Sequence, residues 1–381
     1  TTTGRSILVS AAAGSGKTAM LAARCAHLVC DAPDPCEVDE LLVVTFTDAA
    51  AAQMKERIHA ALRDRAASSS SQRLRRQLAL IDHASVSTLH AFCAKLLREH
   101  FHAVGLDPAF TVMSGEEAAL LRREVARAVF DDRYELDASG DFQRFVDAYG
   151  EGDDAWLVER VIGAHEMLCS LADPAAWLHR SRERIAQAAE QPVEQSELGR
   201  ELLDLLARGI TDARRQCDQA MALVRRLEKF PKYVEHLNEC AQILRFWQET
   251  LVNDGLDALA EQVETLELPR LGAVPNTVPG KEMAKGAVDA VRSAIKDGAW
   301  RDLLRFTSAQ WQDGLRAIRP HAQTFLGLVE EFVDRYRLTK EAARVVDFSD
   351  LERFALRVLC EKTADGRLIP SRAARAYHKP V

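Results

Sequence analysis

Long apolar runs are missing from this chain. Nowhere in its 381 residues does an uninterrupted hydrophobic stretch approach the length that crosses a bilayer. No signal peptide is recognised at its start, so the expectation is a cytoplasmic protein without a membrane span. Paired cysteines are missing too. Cys25, Cys30, Cys36, Cys93, Cys169, Cys217, Cys240 and Cys360 are scattered and form no C-x-x-C pair, which argues against a zinc or iron–sulfur centre. Cys25 and Cys30 fall among apolar residues of an expected helix, where free thiols behave as small hydrophobes, and reduced thiols suit the cytosol. Excess positive charge is also absent. The net charge of -7 speaks against a protein that coats nucleic acid, yet leaves room for a local groove facing phosphates. No internal repeat is found. What remains is an ordinary globular composition, long enough for two domains.

Against these absences stands one dense motif. The apolar run Ile7-Leu8-Val9 reads as a strand, Ile7–Ser10, and leads directly into Ser10-Ala11-Ala12-Ala13-Gly14-Ser15-Gly16-Lys17-Thr18. A helix then runs from Lys17 to about Val29. Strand, Gly-rich loop, Lys-Thr and helix form the arrangement that cradles a nucleotide triphosphate. Gly14 and Gly16 let the backbone turn tightly and aim N–H groups at phosphate oxygens. Lys17 supplies a point charge for the β and γ phosphates, and the Thr18 hydroxyl can hold Mg²⁺. Ala11 stands where the strict phosphate-loop pattern has Gly, a substitution that one branch of ATPases favours.

The first hundred or so residues alternate strand and helix. Leu41 to Phe46 is the short apolar run of a buried parallel strand. Asp48 is expected to cap the next helix, with Ala51, Met54, Ile58, Ala61 and Leu62 on one face. A Ser-rich break covers Ala66 to Gln72. A third unit starts near Ala84–Ser87, and its helix carries Leu89, Phe92, Cys93, Leu96 and Leu97. Repeated strand–helix units predict a parallel sheet with helices on its faces. From Ser114, which forms a capping-box pair with Glu117, strand-like alternation nearly vanishes. Helical patterns continue to about Lys340, broken by a Pro/Gly linker over 271–280 that reads as an exposed loop. Phe325, Leu328, Val329, Phe332, Val333 and Tyr336 form the stripe of the last clear helix.

Three further patterns carry candidate chemistry. Thr45-Phe46-Thr47-Asp48 through Met54 closes the second strand, where open α/β sheets bind ligands. Its hydroxyls and N–H groups suit phosphates and Phe46 suits a base, although a capped helix start explains the same residues equally well. Thr88 and His90 lie at a helix N-terminus, which favours an anion such as a DNA phosphate; a solvated histidine is the plainer alternative. In Val345-Val346-Asp347-Phe348-Ser349-Asp350-Leu351, a Mg²⁺-holding strand end competes with a simple helix cap. The cap fits better, with Asp350 in the first turn.

Together these residues resemble superfamily-1 helicases of the UvrD/Rep type. Ala-x-x-Gly-Ser-Gly-Lys-Thr is similar to that family's first motif. Thr45–Met54 is similar to its next motif, with Asp48 where the family form has Asn, and Thr88-Leu89-His90 resembles its T-x-H strand contact. Tyr336, Lys340 and Asp347-Phe348-x-Asp350-Leu351 resemble the segment that returns to the motor domain. Ala-Ala-Ala before the glycine, Tyr149-Gly150 and Asp173-Pro174-x-x-Trp177-Leu178 resemble the AddA/RecB branch of helicase–nucleases, AddA in particular. The resemblance covers the whole chain, most strongly in 1–115 and 325–360.

That resemblance implies an α/β fold. A RecA-like parallel sheet would form domain 1A over 1–115, a large all-helical domain 1B would be inserted over 116–340, and 341–381 would lead back into 1A. It implies ATP and Mg²⁺ at Ala11, Ala12, Ala13, Gly14, Ser15, Gly16, Lys17 and Thr18, with Lys17 and Thr18 serving catalysis and Thr18 the metal. Thr45, Phe46, Thr47, Thr88 and His90 would line a single-strand DNA track. The implied activity is 3′–5′ DNA unwinding within a helicase–nuclease that repairs double-strand breaks, acting on single-stranded and duplex DNA beside an AddB-like partner subunit. The family's adenine-reading Gln, its acidic Asp-Glu pair and its arginine finger find no counterpart here. Asp39-Glu40 precedes a strand instead of ending one. The expectation is therefore the front part of a longer motor that binds ATP but hydrolyses it negligibly. The alternative is a non-catalytic DNA-binding or partner-docking module, with Arg122, Arg123, Arg127, Arg225 and Arg226 gripping duplex phosphates. Another phosphate-loop enzyme, such as a kinase, would leave the two downstream patterns unexplained.

Overall fold

The computed structural model describes residues 7–12, 14–67, 71–275, 277–363 and 367–377. Their contacts gather into two compact units, one from residues 1–125 and 333–381, the other from 126–332.

The first unit opens with helix α1 (Lys17–Cys30), strand β1 (Leu42–Thr45), α2 (Asp48–Ala67), α3 (Gln72–Leu80), β2 (Ser85–Thr88), α4 (Leu89–Glu99) and the short α5 (Phe101–Val104). β1 and β2 pair in parallel, in the register Leu42↔Ser85 through Thr45↔Thr88. The apolar spacing read from the sequence explains the packing. Ala22, Cys25, Ala26 and Val29 of α1 meet Val43 of β1 and Met54, Ile58 and Leu62 of α2 in one buried cluster. The carboxamide of Gln77 is fully buried there, accepting the Val38 N–H at 2.7 Å and donating to Glu37. A buried amide of this kind fixes the loop before β1, because its polar atoms would otherwise be stranded.

Two expectations are corrected here. Ile7–Ser10 is not a strand: it makes no ladder, and Leu8 is 97% exposed. An apolar run becomes a strand only against a neighbouring edge, and β1 and β2 pair with one another without it. The helix cap before α2 is Thr47 and not Asp48. The Thr47 hydroxyl accepts the Ala50 N–H at 3.1 Å, which leaves Asp48 in the first turn.

The rest of this unit is β3 (Thr111–Val112), the start of α6 (Gly115–Leu136), the end of α14 (Ser308–Ala343), β4 (Val345–Val346), α15 (Phe348–Leu359), the hairpin β5 (Cys360–Lys362) and β6 (Leu368–Pro370), and α16 (Arg372–Tyr377). β3 pairs in parallel with β4, and β5 is antiparallel to β6. A second buried cluster joins Cys93, Leu96 and Leu97 of α4 to Val346 and to Leu351, Ala355 and Val358 of α15. Ser114 and Glu117 exchange the expected capping bonds at 2.7 and 3.2 Å.

The second unit is helical throughout its described residues. It comprises the second half of α6 and most of α14, with α7 (Asp141–Tyr149), α8 (Ala155–Cys169), α9 (Pro174–Glu190), α10 (Glu197–Arg226), α11 (Pro231–Asn253), α12 (Gly255–Glu264) and α13 (Lys281–Lys296) between them. Asp173 caps α9 ahead of Pro174 at its first position, where the missing N–H of proline costs nothing. Gly150 ends α7 with its N–H on Val146 O, where any Cβ would stand 2.7 Å from that oxygen. The main core joins α10, α11, α12 and α13 around Leu244, Trp247, Leu256 and Val288. The 271–280 linker is not simply exposed, because Leu271, Val274 and Val278 pack onto that core. Among the described residues no helix is long and apolar enough to cross a membrane.

Candidate nucleotide and nucleic-acid site

The phosphate loop is built from the residues that the sequence singles out, apart from Ala13, which lies outside the described residues. Gly14 and Gly16 take φ values of 75° and 84°, a left-handed backbone that a side chain would strain. Gly16 ends the turn and α1 begins at Lys17, with no acidic residue in its first turn. That helix start therefore presents unopposed N–H groups and the positive end of its dipole. Lys17 Nζ donates to the carbonyls of Ala11 and Ala12 at 2.7 and 2.6 Å, and Ser15 Oγ donates to Ala12 O at 2.7 Å. Loop carbonyls thus occupy the donors that phosphate oxygens, as charged acceptors, bind more strongly. A triphosphate fits this cradle. For Mg²⁺ the loop offers Thr18 Oγ1, and no group of three or more His, Cys, Asp or Glu that could hold a metal ion occurs among the described residues.

The second constellation follows from strand register. Parallel pairing sets Thr45 beside Thr88 at the carboxyl ends of β1 and β2, so two motifs more than forty residues apart meet on one sheet end. Thr45 Oγ1 donates to Thr47 O at 3.0 Å, while Thr47 and Thr88 accept the N–H groups of Ala50 and Ala91 at 3.1 and 3.3 Å. Thr47 and Thr88 thus cap α2 and α4, and both motifs start helices. Phe46, between the two threonines, is wholly exposed. Fully exposing so large an apolar ring is unfavourable in water, so it is the first group that a stacking ligand would cover.

His90 sits in the first turn of α4, and its ring is already engaged. Nε2 lies 3.2 Å from Glu352 Oε1, and the ring centroid lies 4.6 Å from that of Phe348. Phe348 and Glu352 are neighbours on α15, and sequence reasoning does not single them out as site residues. Only their four-residue spacing hints at a shared face, and nothing in the sequence pairs that face with α4.

The start of α15 is held by a buried ionic clasp. Asp347 and Asp350 form a reciprocal capping box, in keeping with the cap reading and against a Mg²⁺ site. Lys340 Nζ donates to Asp347 Oδ2 at 3.0 Å and to Asp350, Tyr336 Oη donates to Asp347 Oδ2 at 2.9 Å, and Arg353 donates to Asp350 at 3.2 Å. Lys340 also lies 4.1 Å from the centre of the Tyr336 ring. Burial opposes ionisation of Asp347, yet Lys340 and the hydrogen bonds outweigh it and hold the carboxyl below its ordinary value. Burial, and next the Asp347 charge, push the Tyr336 phenol well up. In the second unit, Arg225 and Arg226 are exposed at the end of α10 and Arg127 is exposed on α6; Arg122 and Arg123, in the first unit, have partners.

A Gly-rich Lys-Thr loop thus opens an α/β unit, and two motifs at paired strand ends follow it. The chain belongs to the family of UvrD/REP helicase N-terminal domains, which matches residues 1–378. Its curated relatives include the ATP-dependent helicase/nuclease A subunit of Bacillus licheniformis, 36% identical over 379 residues, covering 98% of this chain and 30% of that protein. The protein of the same name from Pelotomaculum thermopropionicum is 35% identical over 377 residues, and that of Bacillus velezensis 33% over 384 residues. The chain thus spans about 30% of the length of these relatives.

Proposed function

We propose that the chain is the ATP-binding and strand-gripping front part of an AddA-like, ATP-dependent DNA helicase. The longer protein would unwind DNA 3′–5′ in a helicase–nuclease that repairs double-strand breaks beside an AddB-like partner. In that reading residues 1–115 and 341–381 belong to a RecA-like domain 1A, and 116–340 to an inserted helical domain 1B. The supporting observation is the alignment of Thr45 with Thr88 at one sheet end, next to the bare ring of Phe46, in a unit that also carries the phosphate loop.

Lys17 and the N–H groups of the loop would neutralise and orient the triphosphate, and Thr18 Oγ1 would help to hold Mg²⁺, which would screen charge on the phosphates. Thr45, Thr47 and Thr88 keep the two strand ends in place. Phe46 stacks on a base, and His90 with Phe348 bounds the same track. In this reading the chain binds ATP and turns it over negligibly, because none of the residues assigned here activates the attacking water. Binding of a labelled oligothymidylate tests the strand-gripping role. Phe46→Ala should weaken it about tenfold, the order of one lost stacking contact. Unchanged affinity would remove Phe46 from the track.

A further inference from the structure

We infer that Glu352 is a positioning residue which fixes the tautomer and plane of His90, making this corner of the strand track a seat for a base and not for a phosphate. The inference rests on the single-strand reading above. Phe348 and Glu352 stand four residues apart on α15, hence on one helix face. Both reach His90, the carboxylate at 3.2 Å and the ring at 4.6 Å between centroids. The face cannot swing away freely. Phe348 is the first residue of α15, directly after the cap Asp347, which Lys340 and Tyr336 grip in a buried cluster.

The chemistry follows from hydrogen-bond capacity. A carboxylate only accepts, so the imidazole nitrogen facing Glu352 carries the proton. In the neutral ring Nδ1 is then bare and accepts, which suits the N–H of a base and not a phosphate oxygen. The Glu352 carboxylate beside it repels phosphate as well. Of the other charged groups on α4 and α15, Asp350 pairs with Lys340 and Arg353, Arg357 lies over Phe354, and Arg98 lies over Phe110. Glu352 is the group that reaches His90.

The test uses the 381-residue chain, a labelled oligothymidylate and nitrogen NMR of His90. Glu352→Ala should weaken binding about fivefold, the order of one lost hydrogen bond. Glu352→Gln, which keeps an acceptor oxygen, should restore most of it. His90→Ala should weaken binding without changing the slope of affinity against salt, and adding Glu352→Ala to it should weaken binding no further. In the free chain His90 should be protonated at Nε2 and bare at Nδ1, a pattern that Glu352→Ala mixes. A His90→Ala slope shallower by about 0.7 would mark a phosphate contact and overturn the inference. So would equal or tighter binding by both Glu352 variants, as simple charge repulsion predicts. If wild type binds no single strand, the strand reading itself fails. The nitrogen shifts then still decide the role of Glu352, since identical patterns in wild type and Glu352→Ala exclude it.

Discussion

Lys340 carries the first unit's most concentrated electrostatics. The residue is 5% exposed, and its ammonium bridges two carboxylates that are themselves buried. Lys340→Met removes the cation that the two carboxylates share, leaving Asp350 with Arg353 as its cation, and such a loss is worth about 3–5 kcal/mol. Tyr336→Phe removes one hydrogen bond from the same cluster, about 1 kcal/mol. Urea unfolding should rank the two variants in that order. The pH dependence has two ends. The lowered Asp347 carboxyl stabilises the fold at neutral pH, and that stability drains away as pH falls below about 3.8, where the unfolded carboxyl already binds its proton. The raised Tyr336 phenol acts in the opposite sense: its contribution is complete below pH 10 and is lost above it.

His236 adds a third window, in the second unit. It accepts from Arg292 at 3.1 Å through Nε2, its Nδ1 is buried without a partner, and burial, then Arg292, depress its basicity below 6.5. The native ring stays neutral while the unfolded one takes a proton, so stability should fall as pH drops from 6.5. His236→Gln, which does not titrate, should flatten melting temperature against pH across that window. The buried thiols nearby are unreactive by contrast, with burial pushing Cys217 up to about 12 and Cys240 to about 11.

At the scale of elements, close approach decides more than propensity. Gly209 lies inside the 30-residue α10, where alanine ordinarily stabilises a helix by about 1 kcal/mol. Here a Cβ would stand 2.5 Å from Cβ and Cγ of Trp300. Gly209→Ala should therefore destabilise by about 1–3 kcal/mol, as overpacking does, in thermal or urea unfolding. Periodicity makes much of this architecture legible beforehand. The stripes of α1, α2, α4 and α14 are set by local spacing, and the caps at Ser114 and Asp347 follow from residue type. Ile7–Ser10 shows where that reasoning stops, since a strand needs a partner that its own residues do not name. The brief β3–β4 pair and the β5–β6 hairpin escape it because two or three residues carry no usable period.

At the scale of the molecule, the phosphate loop is legible as a contiguous string, and each strand-end motif is legible alone. What the sequence cannot reveal is the meeting of α4 with α15, which joins His90 to residues about 260 positions away. That contact turns a histidine expected to face an anion into one already paired with a carboxylate. In the proposed reading the loop holds ATP through Lys17 while the rest of the unit stands independently of it. Titration of a fluorescent ATP analogue in Mg²⁺, with wild type and Lys17→Ala compared at matched melting temperature, tests it most directly. Saturable binding by wild type, weakened at least about tenfold in Lys17→Ala by loss of a charge-assisted phosphate contact, is the predicted result. Equal binding by both chains would contradict it.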